Sequence, residues 1–208
     1  MPNWKIHLEV AKRIGKKINY NKEEMQLFLL GNILPDINNG YIVTDISTRL
    51  QHDFTHYRAE KSSTYMYFYN LHKKDIKNPV LCGYLVHLFT DYFFNKDFYL
   101  RSRETELKDL THDELRIIKQ SDFQSYNDKF LTNKLEIDDI KKAESATKII
   151  ENISVNSSDI KKVIEFLSKQ ETSNIQLKFY KIEELDALME RTLKKLQWLL
   201  STLWIIRK

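Results

Sequence analysis

Apolar residues recur at helical spacing from the first residues of the chain. Four of them share one helical face, namely Trp4, Leu8, Ala11 and Ile14. The spacing predicts a first amphipathic helix over about 4–17, which also carries His7. Asn21 followed by Glu24 forms a capping-box pattern that opens a second helix. We expect Pro35 to end that helix, because proline cannot continue the backbone ladder.

The middle of the chain contains its most apolar segment. Asn38, Asn39 and Gly40 mark a turn after the second helix, and residues 36–56 lack a clear period, which indicates a loop or short helical turns. Tyr65, Phe68, Tyr69 and His72 predict a third helix. Asn78 and Pro79 then form a cap and first-turn proline before an apolar run that extends to Phe94. A helix that is apolar on every side is typical of a buried, central position.

The C-terminal half reads as further helices without a recognisable motif. Thr111 and Glu114 cap a helix towards Phe130, and amphipathic patterns cover 137–150 and 160–169. A last helix over 182–206 carries an apolar stripe that indicates core packing: Leu185, Leu188, Met189, Thr192, Leu193, Leu196, Leu199, Leu200 and Leu203. With only four Gly and three Pro, the sequence predicts an all-α, single-domain multi-helix bundle over 1–208. Its chemistry-bearing residues fall in 1–95, and 96–208 reads as a packing region.

Charge and cysteine content narrow the choice of partners and compartment. The 33 Lys and Arg against 29 Asp and Glu give a formal charge of +4, with the two signs interspersed. This pattern argues against a dedicated nucleic-acid binder but suits a phosphate-bearing substrate. The single Cys82 cannot form an internal disulfide, no apolar run spans a bilayer, and the N-terminal residues lack a secretory signal. These features predict a cytoplasmic protein.

His87 and Asp91 are the first candidates for chemistry. They lie four residues apart in the apolar helix and therefore share one face, with Gly83 one turn earlier. An unpaired aspartate in such a helix costs several kcal/mol, so Asp91 needs a cation or a set of hydrogen-bond donors. A buried His–Asp pair that satisfies itself, or a neighbouring arginine, is the alternative interpretation.

Other ligand-type residues strengthen the metal interpretation when they are taken together. Asp36 follows Pro35, His52 and His56 are one helical turn apart, and His7 lies in the first helix. Each has an ordinary explanation by itself: a turn aspartate, surface histidines and a histidine at the edge of the core. Together they form a nitrogen and oxygen ligand set suited to zinc. Because there is neither a Cys pair nor a His-Glu-x-x-His sequence, zinc-finger and zincin sites are excluded.

Two motifs in this order resemble the zinc-dependent phospholipase C family and, more distantly, the three-metal nucleases that share its all-helical fold. Residues 28–37 read Phe-Leu-Leu-Gly-Asn-Ile-Leu-Pro-Asp-Ile, and residues 83–91 read Gly-Tyr-Leu-Val-His-Leu-Phe-Thr-Asp. His7 and the Thr-His-Tyr step at 55–57 complete the resemblance, which covers about 1–95. It implies hydrolysis of a phosphodiester or phosphomonoester.

The resemblance also implies roles for individual residues. One zinc ion would take Asp36, His56, His87 and Asp91, and Asp91 would bridge to a second zinc that His7 also binds. Asp36 would in addition act as the catalytic base that activates water. His52 is the substitute ligand if His56 points away.

The sequence departs from the family pattern in two places. Family members also bind metal through the free amine and carbonyl of an N-terminal Trp, whereas Trp4 here follows Met1, Pro2 and Asn3. Their third zinc takes a His after the central helix and a later His and Glu. The nearest candidates here are Asp97, His112 and Arg116, and arginine cannot bind a metal. We therefore expect two zinc ions.

Two alternatives to this function remain open at the level of sequence. His52 and Asp53 could be the paired ligands of an HD-type metal-dependent phosphohydrolase, although that pattern leaves Asp36 and His87 unexplained. A non-catalytic helical protein that binds metal or a partner is the second alternative. The substrate, whether a phospholipid, a nucleotide or a small phosphoester, and the oligomeric state are not specified by the sequence.

Overall fold

The computed structural model describes residues 4–40, 43–58, 64–151, 153–169 and 172–203, and every regular element in these ranges is helical. The α-helices are α1 (Trp4–Ile18), α2 (Lys22–Ile37), α3 (His52–Thr55), α4 (Thr64–His72), α5 (Pro79–Ser102), α6 (His112–Asn127), α7 (Ile140–Thr147), α8 (Ser157–Ser168) and α9 (Ile182–Thr202). Short 3-10 helices span Glu106–Asp109 and Asp128–Phe130. The all-α multi-helix prediction is confirmed.

Several helix starts follow the predicted capping chemistry. The Asn21 side chain accepts from the Glu24 backbone N–H while the Glu24 carboxylate accepts from the Asn21 N–H, which completes a capping box. Thr111 and Glu114 form the same arrangement at α6. At α5 the Asn78 side chain accepts from the Val80 N–H, and Pro79 occupies the first turn.

Two predicted helix ends were wrong. Pro35 lies inside α2, which continues to Ile37. A proline in the last turn removes only one backbone hydrogen bond, and the buried packing of α2 outweighs that loss. The last helix ends at Thr202 rather than Ile206, and 204–206 lie outside the described residues. The other differences are small: α6 stops at Asn127 and a 3-10 helix continues to Phe130, α7 is shorter than the predicted 137–150, and α8 begins three residues before the predicted 160.

Helix α5 runs through the centre of the fold. All residues from Val80 to Asp91 are buried, and their neighbours include α1, α2, α4 and α9. The buried apolar side chains from both halves of the chain belong to one contiguous hydrophobic cluster. No helix in the described ranges is both long and apolar enough to cross a membrane.

The closest helix pair, α2 and α5, depends on two glycines. A Cβ added to Gly83 would lie 2.1 Å from the Phe28 carbonyl oxygen, and one added to Gly31 would lie 2.2 Å from the Val80 carbonyl oxygen. Neither backbone can yield without separating the two helices. This close approach brings the end of α2, with Asp36, beside the face of α5 that carries His87 and Asp91.

We expect Gly83→Ala to lower the free energy of unfolding by roughly 1–3 kcal/mol, as measured by urea denaturation in the presence of a chelator. The matched control is Gly15→Ala in α1, where the added Cβ would meet the flexible end of Met25 at 2.6 Å. There the gain in helix propensity, about 1 kcal/mol, offsets the crowding. Equal stability of the two variants would contradict the role assigned to Gly83.

Candidate metal centre

Four separate parts of the chain place ligand-type side chains in one buried region. Helix α1 contributes His7, the last turn of α2 contributes Asp36, and the short α3 with its C-terminal residue contributes His52 and His56. Helix α5 contributes His87 and Asp91. Their ligand atoms form three overlapping groups in which all atoms lie within 4.8 Å of one another: His7, His87 and Asp91; Asp36, His56 and His87; and His52, His56 and Asp91. These groups can hold a metal ion.

The group of Asp36, His56 and His87 lies at the centre. The Nε2 atoms of His56 and His87 are 3.2 Å apart. Asp36 Oδ1 lies 3.5 Å from His56 Nε2, and Asp36 Oδ2 lies 3.8 Å from His87 Nε2. Each of the four atoms offers a lone pair, so they converge as metal ligands do.

Asp91 connects the other two groups. Its Oδ1 is 3.3 Å from His7 Nε2, and its Oδ2 is 3.5 Å from His56 Nε2 and 3.8 Å from His87 Nε2. The His7 ring stacks on the His87 ring with centroids 3.9 Å apart, and His52 stacks on His56 at 3.7 Å. A carboxylate with one oxygen directed to each side is placed to bridge two ions.

Hydrogen bonds fix the proton positions of the two central histidines. His87 Nδ1 lies 2.7 Å from the Asn32 carbonyl oxygen, and His56 Nδ1 lies 3.0 Å from the His52 carbonyl oxygen. A carbonyl can only accept, so Nδ1 carries the proton in both rings. Both Nε2 atoms then face each other with lone pairs at 3.2 Å. Such a contact is repulsive unless a cation lies between them.

Buried polar atoms without partners surround this contact. Both ring nitrogens of His7 and both carboxylate oxygens of Asp91 are buried, and none of these four atoms has a hydrogen-bond partner among the described residues. His7 Nε2 and Asp91 Oδ1 are 3.3 Å apart, but their orientation does not satisfy hydrogen-bond geometry. Leaving such groups unpaired costs about 1–3 kcal/mol each, and more for a charged group. A bound cation would satisfy the lone pairs of the imidazole nitrogens and carboxylate oxygens. These atom types suit a metal such as zinc, which takes nitrogen and oxygen ligands.

The protonation states at neutral pH suit metal binding. Burial lowers the pKa of His52 and of His87 to about 4 and that of His56 well below its usual value. Burial raises the pKa of Asp36 to about 6, and the Asp91 charge adds to this effect. The Asp91 pKa is held well below its usual range by His7, His87 and His56, which outweigh its burial. His52, His56 and His87 are therefore neutral at pH 7, so a metal would have no imidazolium proton to displace from these three rings.

The remaining predicted residues lie elsewhere. His112 is exposed at the start of α6, with its Nε2 3.3 Å from the Tyr99 hydroxyl. Asp97 accepts hydrogen bonds from Tyr180 and Arg191. Neither belongs to a ligand group among the described residues, so the candidates for a third ion are not brought together. The Trp4 side chain is buried at the start of α1, and 1–3 lie outside the described residues.

Sequence reasoning missed the groups that orient the ligands. The Asn39 amide donates to Asp36 Oδ1 at 3.0 Å, and the backbone carbonyls of Asn32 and His52 fix two rings. The Tyr84 hydroxyl donates to the Thr55 carbonyl and so ties α3 to α5. The sequence offered one hint of these orienting groups, because Asn32 and Asn39 lie on either side of Pro35 and Asp36. A backbone carbonyl leaves no trace in a sequence.

The chain matches no protein-family model, no curated protein and no solved structure. The residues of the centre form three overlapping groups of histidine and aspartate that can hold a metal ion.

Proposed function

We propose that this protein is a zinc-dependent phosphoester hydrolase whose centre binds two ions. The observation that carries the proposal is the contact between His56 Nε2 and His87 Nε2, two lone-pair atoms 3.2 Å apart beside the unsatisfied oxygens of Asp91. The resemblance of residues 1–95 to the zinc-dependent phospholipase C family supports the same conclusion, because its expected ligands lie in one cluster.

The ligands divide between two positions. Asp36, His56, His87 and Asp91 would hold one ion, and Asp91 with His7 would hold the other. His52, whose Nε2 is 4.0 Å from Asp36 Oδ1 and which belongs to the third group, would be the substitute ligand for His56 at the first position. When bound, zinc ions lower the pKa of water and neutralise charge on a phosphoryl oxygen.

Asp36 is the side chain placed to accept a proton. With a pKa raised to about 6, it is mostly ionised at neutral pH yet more basic than an ordinary aspartate. Asn39 donates to Oδ1, and Oδ2 lies 3.8 Å from His87 Nε2. We infer that Asp36 orients the attacking water and takes its proton, while the neutral histidines remain ligands.

An activity assay tests the proposal. Zinc-loaded protein should hydrolyse a chromogenic phosphodiester or phosphomonoester, lose the activity with a chelator and regain it with zinc. Protein that binds zinc in the predicted groups but turns over neither class of substrate would instead be a non-catalytic metal-binding protein. The complete burial of the Asp91 oxygens is the observation that favours this second candidate.

Asp53→Ala separates the proposal from an HD-type phosphohydrolase. The Asp53 side chain is 70% exposed, lies 3.6 Å from His52 Nδ1 and belongs to none of the ligand groups. We therefore expect the variant to keep the zinc content of the parent in elemental analysis, whereas an HD-type site would lose its metal. A matched change one turn away, His56→Ala, should reduce the zinc content.

A further inference from the structure

Lys119 is a buried cation outside the ligand set. It lies on α6 with only 7% of its surface exposed. Its Nζ donates to Asn95 Oδ1 at 2.8 Å and to the Tyr99 hydroxyl at 3.1 Å, and it lies 4.6 Å from the centroid of the Tyr99 ring. Among the described residues no carboxylate forms an ion pair with it. Burying an ammonium group without a counter-charge is costly, and an anion would offset that cost.

The two residues that hold Lys119 continue the face of α5 that carries the metal ligands. His87, Asp91, Asn95 and Tyr99 follow one another at four-residue steps, so each shares a face with the next, and the row winds gradually round the helix. Each step advances about 6 Å along the axis. The Lys119 ammonium is therefore held one to two helical turns beyond Asp91 along the axis of α5.

Arg58 adds a second positive charge at the same end of the cluster. It follows His56 by two residues, and its side chain is 44% exposed and forms an ion pair of 3.5 Å with the exposed Asp53. Burial raises the pKa of Tyr99 and the Arg58 charge acts against that shift, while the same charge adds to the effect of burial in lowering the pKa of Lys119. Burial is the main cause that lowers the Lys119 pKa, to about 8, so the amine is still mostly protonated at neutral pH. The Asp91 charge acts in the opposite direction and favours the charged form of Lys119.

We propose that Lys119, assisted by Arg58, binds an anionic phosphoryl oxygen of the substrate at the Asn95 and Tyr99 end of the metal centre. The inference rests on the proposed hydrolase function and adds a recognition element to it. It predicts a substrate whose phosphate carries a negative charge in the bound state. Lys119 does not bind the metal in this arrangement, so its removal should leave the ions in place.

The test is a titration with inorganic phosphate, followed calorimetrically, of zinc-loaded and metal-free protein. We expect Lys119→Met to weaken phosphate binding by about tenfold or more while zinc content stays that of the parent. Lys119→Arg should keep most of the affinity. The matched control is Lys12→Met, which removes a partly buried lysine that donates to Asn133, a residue with no described contact to a metal ligand.

Unchanged phosphate affinity in a folded Lys119→Met variant would overturn the inference. If Lys119→Met does not fold, the surface variant Arg58→Gln is measured instead. We expect this variant to lose phosphate affinity. Unchanged affinity in Arg58→Gln would count against the inference. A parent that takes up no zinc would contradict the proposed function alone. In that case the phosphate affinity of the metal-free parent is compared with that of metal-free Lys119→Met. A parent that binds no phosphate without metal would overturn the role of Lys119.

Discussion

Asp91→Ala should remove metal from both positions and lower zinc affinity by more than about a hundredfold. Residues that merely orient a ligand contribute about 10–100-fold to affinity, and Asp91 is itself a ligand in two of the three groups. Its oxygens lie 3.3 Å from His7 Nε2 and 3.5 Å from His56 Nε2, so both positions lose the carboxylate that they would share. Equilibrium dialysis against buffered zinc measures the effect.

The control for this variant is a buried aspartate of a different kind. Asp122 on α6 is fully buried, and its oxygens accept backbone N–H groups of Lys178, Phe179 and Tyr180. Asp122→Asn should reduce stability because it weakens those hydrogen bonds, yet it should leave zinc binding unchanged. Equal zinc affinity in the parent and in Asp91→Ala would show that the cluster is a hydrogen-bonded network and not a bridged metal site.

Asp36→Asn should lower kcat for phosphoester hydrolysis by about 10²–10⁴-fold, the usual contribution of a positioned general base. The amide has nearly the same shape and can still accept from Asn39, but it cannot take a proton from water. The group of His7, His87 and Asp91 remains intact, so the variant should keep at least one zinc ion. Steady-state kinetics and elemental analysis of the same preparation separate the two effects.

Asn39→Ala is a second variant to compare with Asp36→Asn. It removes the hydrogen bond to Asp36 Oδ1 without removing the carboxylate, so its loss of kcat should be smaller than that of Asp36→Asn. A fully active Asp36→Asn enzyme with its normal zinc content would assign proton removal to another group. Loss of all zinc in Asp36→Asn would mean that Asp36 holds both ions together.

The local part of the fold could be predicted from the sequence because its causes are local. Apolar spacing located α1 and α4 to within a residue or two, and side-chain to backbone caps located the starts of α2, α5 and α6. Pro35 was misjudged because the cost of a proline depends on its position in the helix and on tertiary packing. The end of α9 was misjudged because the apolar stripe shows no stop signal.

The candidate site could be predicted only as a set of residues. The pairing of His87 with Asp91 follows from a four-residue spacing, but the approach of Asp36 depends on how closely α2 and α5 pack. Gly31 and Gly83 permit that approach, and their partners across the interface cannot be read from spacing. His52 and His56 reach the cluster together through stacking, a result that neither position specifies alone.

The central claim is that metal ions occupy this cluster, and anomalous X-ray diffraction at the zinc edge from crystals of the zinc-loaded protein tests it most directly. The account predicts two anomalous peaks, one about 2.0–2.2 Å from the ligand atoms of Asp36, His56 and His87 and one at the same distance from those of His7 and Asp91. Asp91 would contact both peaks. Zinc bound only at surface histidines such as His112, with no peak among the buried ligands, would contradict it.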